Sequence, residues 1–154
     1  PAAWQAMADM GWTGVIIPEA HGGSDFGWLS MGLVGEELGK TLTASPLVAS
    51  TVAASAIILG GSKEQKAKWL PGIASGAVIA TLAVDEGPRH DGTALSASVS
   101  GGKLSGTKAF VAEAEAAIRP ARQQAVPVVL VASLVGVAEV VVPQPMVPMP
   151  AMAA

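Results

Sequence analysis

Apolar positions recur at helical spacing through the first half of the chain. A helix already under way at the start is indicated by apolar residues on one face, at Trp4, Met7, Ala8 and Gly11. A second helix is predicted from Trp28 to Lys40, with apolar residues spaced closely enough to bury much of its girth. The pair Ser45-Pro46 then opens a third helix that runs to Leu59 with almost no charge, as is typical inside a bundle or at a subunit contact.

A fourth helix is predicted from its own capping signal. The stretch Ser62-Lys63-Glu64-Gln65 fits a capping box, in which the Ser62 hydroxyl and the Gln65 amide satisfy amides at the helix start. This helix is expected to end near Trp69-Leu70, because Pro71-Gly72 follows. The four tryptophans are predicted to anchor the core of the helical bundle, at Trp4, Trp12, Trp28 and Trp69.

A double glycine lies between the first two helices. The apolar run Val15 to Ile17 stops at Pro18, and the stretch His21-Gly22-Gly23-Ser24-Asp25 is dense in turn-forming residues. A phosphate cradle needs glycines directly after a strand, at the start of a helix, and the GxGxxG pattern is absent. The two glycines therefore predict a bend.

Beyond Gly76 the hydrophobic period changes from helical to alternating. Val78 to Val84 reads as a strand, Leu95 to Ser100 as a second, and Lys103 to Val111 as its return after a turn at Gly101-Gly102. The predicted fold class is α+β: a helical bundle over residues 1–76, then part of an antiparallel β domain over 77–119.

The last part of the chain, residues 120–154, is rich in Pro, Val and Ala. Six of the eleven prolines lie from Pro120 onward, so this range is predicted to be a low-complexity, irregular tail or translation outside the native reading frame. The segment Ala125 to Val142 is apolar, but it contains a proline, a glycine and Glu139. No membrane span is predicted there.

Composition removes several classes of function. Charged residues make up only 14% of the chain and the net charge is −3 without a basic block, so no nucleic-acid partner is expected. The absence of cysteine excludes disulfides and thiolate metal sites, and the N-terminal stretch does not read as a signal peptide, which makes the cytoplasm the default location. His21 and His90 lack partners at ligand spacing, so no metal site is predicted.

Three motifs in order carry a family resemblance over residues 4 to about 112. They read "MADMGWTGVIIPEAHGGSDFGWLSMGLVGEELGK", "GSKEQKAKWLPGIASG" and "LSGTKAFV". The chain resembles the flavin-dependent acyl-CoA dehydrogenases of fatty acid metabolism. The resemblance implies an N-terminal helical domain, a middle β domain and a C-terminal four-helix domain, with FAD held between the last two and across a subunit interface.

The resemblance also implies the chemistry, which is α,β-dehydrogenation of an acyl-CoA thioester. A carboxylate removes the α-proton while the β-hydrogen leaves as hydride to the flavin, and the electrons pass to an electron-transferring flavoprotein. The family's base lies in the C-terminal domain, so no catalytic residue is expected in this chain. A homo- or hetero-oligomer is implied as well.

Five cofactor-binding residues follow from aligning the chain with the family. Leu82, Val84 and Asp85 correspond to a strand that carries an aromatic residue and a Thr-Glu-Pro triplet against the flavin, and Phe110 and Ala112 correspond to a Trp-Ile-Thr stretch. Asp85 and Ala112 depart from the pattern, since neither has a hydroxyl. The loop Pro88-Arg89-His90-Asp91-Gly92-Thr93 corresponds to the family's Gly-Ser-Asp loop, in which Thr93 would replace the serine.

The first interpretation is therefore the N-terminal portion of an FAD-dependent acyl-CoA dehydrogenase, inactive without the rest of the fold. A second interpretation is a non-catalytic helical module that binds a partner subunit through the charge-poor helix from Leu47 to Leu59. A related acyl-CoA oxidase or flavin monooxygenase also stays open, because oxygen access cannot be read from the sequence.

Overall fold

The computed structural model describes residues 2–88, 96–100, 103–114, 129–132 and 137–139. Its helices are α1 (Ala2–Asp9), α2 (Gly27–Lys40), α3 (Leu47–Gly60) and α4 (Lys63–Ala74), with short 3₁₀ turns at Trp12–Gly14 and Glu19–His21. Its strands are β1 (Thr81–Ala83), β2 (Ser98–Ser100), β3 (Lys103–Ser105), β4 (Val129–Ala132) and β5 (Val137–Glu139). The helical first half agrees with the predicted order of helices.

Helix α3 lies at the centre of the core. Leu47 and Ile57 of α3 are fully buried, and so are Leu70 and Ile73 of α4 and Ile17 from the loop before α2. Full burial of one such side chain stabilises a fold by about 1.5–3 kcal/mol. A helix with almost no charge thus lies inside the bundle, as its sequence predicts.

Helix α4 begins as predicted but ends later. The Ser62 hydroxyl accepts a hydrogen bond from the Gln65 amide at 3.3 Å, and the Ser62 amide donates to the Gln65 side chain at 2.8 Å, which completes the capping box. The predicted break at Pro71 is wrong, because α4 continues to Ala74. The reason is tertiary: Ile73 is fully buried in the last turn, and its burial outweighs the hydrogen bond that proline cannot donate.

Helix α2 is far more exposed than its sequence predicts. Met31 is its one buried residue and receives a hydrogen bond from the Thr51 hydroxyl to its sulfur at 3.7 Å. Leu29 is 82% exposed and Trp28 is 53% exposed, so the prediction that Trp28 anchors the core is wrong. Among the described residues, the elements next to α2 cover only part of its apolar surface. Trp28 and Leu29 therefore stay exposed.

The double glycine forms a bend that folds back on the preceding segment. The Asp25 amide donates to the Ile17 carbonyl at 3.0 Å, and the Phe26 amide donates to the Val15 carbonyl at 2.8 Å. Gly22 adopts a φ of +83°, and a Cβ on Gly23 would lie 2.0 Å from the Ile17 oxygen. Only glycine fits at Gly23, because the backbone approaches itself there. The predicted bend is confirmed.

Three hydrogen bonds fix where the chain leaves the helices. The Thr13 hydroxyl donates to the Ala74 carbonyl at 2.6 Å, and the Trp4 indole donates to the Gly76 carbonyl at 2.8 Å. The Ala80 amide then donates to the buried Ser50 hydroxyl of α3 at 3.3 Å. Strand β1 therefore starts directly against the helical core.

The strands are shorter than predicted. The first covers only Thr81–Ala83 of the predicted Val78 to Val84, and β2 and β3 form an antiparallel hairpin that pairs Ser98 with Ser105 and Ser100 with Lys103. The predicted turn at Gly101-Gly102 lies outside the described residues.

Strand β1 has a neighbour from the last part of the chain. It pairs in parallel with β4, aligning Thr81 with Leu130 and Ala83 with Ala132, and β4 pairs antiparallel with β5. Both β4 and β5 lie in the range 120–154 predicted to be irregular, and that prediction is wrong at their residues. Val129–Ala132 is free of proline and rich in β-branched residues, which favour strands. The prediction of irregular structure rests on the prolines elsewhere in this range. No helix among the described residues is long and apolar enough to cross a membrane.

Replacing Ile57 should show how much the packing of α3 contributes to the free energy of unfolding. Ile57→Ala removes a fully buried side chain and is expected to lower the free energy of unfolding by about 2–5 kcal/mol. Leu59→Ala, on a residue that is 84% exposed, should change it by less than about 0.5 kcal/mol. Urea titrations followed by circular dichroism measure both, and equal losses would contradict the central position of α3.

Adding a methyl group at the bend should also destabilise the fold. Gly23→Ala forces Cβ against the Ile17 backbone and is expected to cost about 1–3 kcal/mol. The matched control is Gly32→Ala, in α2 with no atom within 4 Å, which should stabilise by about 0.5–1 kcal/mol. Thermal unfolding compares the two, and a neutral Gly23→Ala would refute the close approach.

Candidate functional site

The end of β1 lies against the segment from Lys108 to Ala112. The Ala109 amide donates to the Asp85 carbonyl at 2.7 Å, and the Thr81 hydroxyl donates to the Ala112 carbonyl at 2.6 Å. The five predicted cofactor-binding residues therefore lie on two adjoining segments, although they are far apart in sequence. We call these the β1 segment (residues 81–86) and the return segment (residues 108–112).

The five side chains differ in how much surface they offer. The Phe110 ring is 78% exposed, on a residue with a φ of +51°, and Ala112 is exposed as well. Val84 and Asp85 are half-buried, whereas Leu82 packs in part against the helical core. Phe110 thus presents an exposed aromatic face. Leu82 contributes to the packing of the helical core at least as much as to a binding site.

Two charged residues that the sequence reading did not select hold these segments together. One oxygen of Glu86 accepts hydrogen bonds from Lys108 at 2.7 Å and from the Ala97 amide at 3.0 Å. Its other oxygen accepts from the amide and the hydroxyl of Ser96, both at 2.5 Å. Lys108 also donates to the Val84 carbonyl at 3.1 Å. The Glu86 and Lys108 side chains are only 10% and 6% exposed.

This network sets the charge state of Glu86. The Lys108 ammonium, followed by the Ser96 hydroxyl and amide, lowers the pKa of the Glu86 carboxyl to about 2. Glu86 is therefore ionised throughout the physiological range. Its role could not be read from sequence, because its partners lie 10, 11 and 22 residues away.

A separate apolar groove lies on the helical side of the molecule. It has a volume of about 310 Å³ and is lined chiefly by the first 3₁₀ turn, the loop before α2, and α2 itself. None of the five predicted site residues lines it; its larger side chains are Met10, Trp12, Phe26 and Leu33. It carries no charged lining residue.

Other predicted contacts cannot be followed. Arg89, His90, Asp91 and Thr93 lie outside the described residues. No group of three or more His, Cys, Asp or Glu side chains that could hold a metal ion occurs in the described portion of the chain.

Comparison with known proteins decides the family. Residues 1–77, half of the chain, match the family model for the acyl-CoA dehydrogenase N-terminal domain. The chain belongs to the acyl-CoA dehydrogenase family. It is 40% identical over 84 residues to (2S)-methylsuccinyl-CoA dehydrogenase of Cereibacter sphaeroides, an alignment that covers 53% of this chain and 15% of that protein.

Solved structures of the family agree with this assignment. An acyl-CoA dehydrogenase from Geobacillus kaustophilus superposes with a TM-score of 0.63 at 27% identity, over 84% of this chain and 34% of that one. An FAD-dependent dehydrogenase superposes with a TM-score of 0.65 at 28% identity, over 84% of this chain and 36% of that one. The chain thus spans about a third of these structures.

The residues present fit part of an FAD site. The exposed Phe110 ring can lie against a flat aromatic group, and Val84 and Ala112 are apolar neighbours on the same two segments. The set does not fit the pyrophosphate, because its one charged member, Asp85, is acidic. Lys108, the nearby cation, already bonds Glu86 and the Val84 carbonyl.

Acid should open this site before it unfolds the helices. The pKa of Glu86 is lowered in the folded chain, so the stability it contributes is present above its unfolded pKa of about 4.3 and is lost as the pH falls toward about 2. We expect the protection of the Ala97 amide against hydrogen exchange, relative to its intrinsic rate at each pH, to be lost over this window in the wild type. In Glu86→Gln the exchange should be fast already at pH 6 and lack that transition. A wild-type transition centred at the ordinary glutamate pKa would contradict the network.

Proposed function

We propose that this chain is the N-terminal portion of an FAD-dependent acyl-CoA dehydrogenase and forms one wall of its flavin site. The observation that carries the proposal is the contact of the β1 segment with the return segment, which pairs Asp85 with Ala109, next to Phe110, and Thr81, next to Leu82, with Ala112. The family assignment supports it, and so does the exposed Phe110 ring. We further propose the division into a helical domain at 1–76, a partial middle β domain at 77–119 and a Pro/Val/Ala-rich segment at 120–154, whose strand β4 pairs with β1.

The part this chain plays is positioning and exclusion of water. Phe110 would lie against the isoalloxazine ring, with Val84 and Ala112 keeping water from that side of the ring. When bound, FAD supplies the acceptor for the β-hydrogen of the acyl-CoA. Asp85 and Ala112 lack the hydroxyl that the family pattern has at their positions, so neither side chain would donate a hydroxyl hydrogen bond to the ring.

The whole enzyme requires more than these residues. The chain spans about a third of the solved relatives, and the resemblance assigns the catalytic base to a C-terminal domain. We therefore propose that the 154 residues alone are inactive. Acyl-CoA as substrate, an electron-transferring flavoprotein as acceptor, an oligomeric assembly and a cytoplasmic location are proposed for the complete enzyme.

One observation favours a second candidate function, a helical module that binds a partner. Helix α3, the surface first considered for this role, is largely buried, but α2 presents exposed apolar residues at Trp28, Leu29 and Leu33. The occupant that fits is a complementary chain with the remainder of the family fold, since this chain covers only 36% and 34% of the two solved relatives. The apolar groove beside α2 belongs to the same surface.

Activity and flavin binding distinguish the two candidates. The purified chain should give no turnover of an acyl-CoA with an artificial electron acceptor, because the resemblance assigns the base to the C-terminal domain of the family. In nuclear magnetic resonance spectra, added FAD should shift the amides of residues 82–85 and 110–112. Turnover by the chain would refute the proposed inactivity. A colourless chain whose amides FAD leaves unshifted, but which assembles with a complementary chain, would favour the binding module.

A further inference from the structure

The Glu86 carboxylate joins three parts of the chain. Glu86 is the last residue of the β1 segment, and its two oxygens accept four hydrogen bonds from Ser96, Ala97 and Lys108. Lys108 returns to the β1 segment through the Val84 carbonyl. The next residue, Ala109, donates to the carbonyl of Asp85. The ion pair thus lies beside the contact that brings the proposed flavin residues together.

A nearly buried ion pair is a poor choice if stability alone is required. Desolvation of both charges offsets most of their attraction, and apolar side chains of similar size often stabilise a fold equally well. Such a pair does impose geometry, because each charge must meet its partners at hydrogen-bond distance. The Lys40 contacts with Glu36 and Glu37 are different, since all three side chains are more than half exposed.

We propose that Glu86 and Lys108 are positioning residues that set the spacing between the β1 segment and the return segment, and so the width of the flavin-contacting surface. This inference rests on the proposed function. Neither residue need touch the cofactor: Lys108 acts on the Val84 carbonyl, and Glu86 acts by orienting Lys108 and the backbone at Ser96 and Ala97.

The geometry gives the proposal a specific consequence. Loss of the Glu86 charge removes the strongest partner of Lys108, so the position of the Lys108 ammonium on the Val84 carbonyl is less well fixed, while the Ala109 bond to the Asp85 carbonyl remains. The Thr81 hydrogen bond to Ala112 is independent of the ion pair and should persist. The two segments would therefore stay adjacent while their spacing varies, which weakens the binding of a rigid planar ring more than it weakens the fold.

The test titrates the full chain with FAD up to about 1 mM and follows amide shifts at residues 82–85 and 110–112. Glu86→Gln and Lys108→Met should each raise the Kd by about tenfold or more, as expected when a charge-assisted hydrogen bond is broken. Lys108→Arg keeps a cation with several donors and should stay within about threefold of the wild type. The control is Glu64→Gln, because Glu64 also accepts a serine hydrogen bond, from Ser62 at 2.7 Å, but is exposed.

A melting temperature for each variant separates positioning from stability. Should Glu86→Gln not fold, Ser96→Ala removes one of the four donor groups and takes its place in the comparison. Equal Kd values for the wild type and the Glu86 and Lys108 variants would overturn this inference. They would not affect the proposal that the two segments form one wall of the flavin site. If the amides of the wild type do not shift with FAD, both the proposed wall of the flavin site and this inference are refuted.

Discussion

The burial of one apolar helix is the constraint on which the rest of the structure depends. Helix α3 has almost no charge, so water is a poor environment for it and it must be surrounded by apolar neighbours. Leu70 and Ile73 of α4 cover it, as does Ile17 from the loop before α2. The glycine bend after Ile17 is part of this cover, because it lets the chain turn back without leaving the core.

The same helix determines where the β region begins. Ser50 lies on α3, is buried, and accepts a hydrogen bond from Ala80 just before β1. The bonds from Trp4 and Thr13 to the end of α4 fix the other side of this junction. Beyond β1, the hydrogen bonds of Glu86 and Lys108 hold the return segment against the β1 segment. Core packing and site geometry are thus connected through a few hydrogen bonds at the end of α4 and along β1.

Local signals allowed much of the helical half to be predicted. The capping box at Ser62 and the glycine bend at Gly23 depend on neighbours in sequence, so their patterns were sufficient. Pro71 was misjudged because burial of Ile73 is a tertiary effect. The exposure of Trp28 has a related reason. A hydrophobic pattern shows which face of a helix is apolar, but it does not show whether the described residues bury that face. The parallel pairing of β1 with β4 joins residues far apart in sequence, which no local pattern encodes.

The five site residues came from the family resemblance, and the structure adds what holds them together. Glu86 directly follows Asp85 in the sequence, yet its importance depends on Lys108, which only the fold brings near. The most direct measurement is an isotope-filtered nuclear Overhauser experiment on the labelled full chain with unlabelled FAD. A flavin bound against these segments should give cross-peaks from its ring protons to the Phe110 ring and the Val84 methyl groups. Cross-peaks only to residues of the α2 groove, such as Phe26 and Leu33, would contradict it.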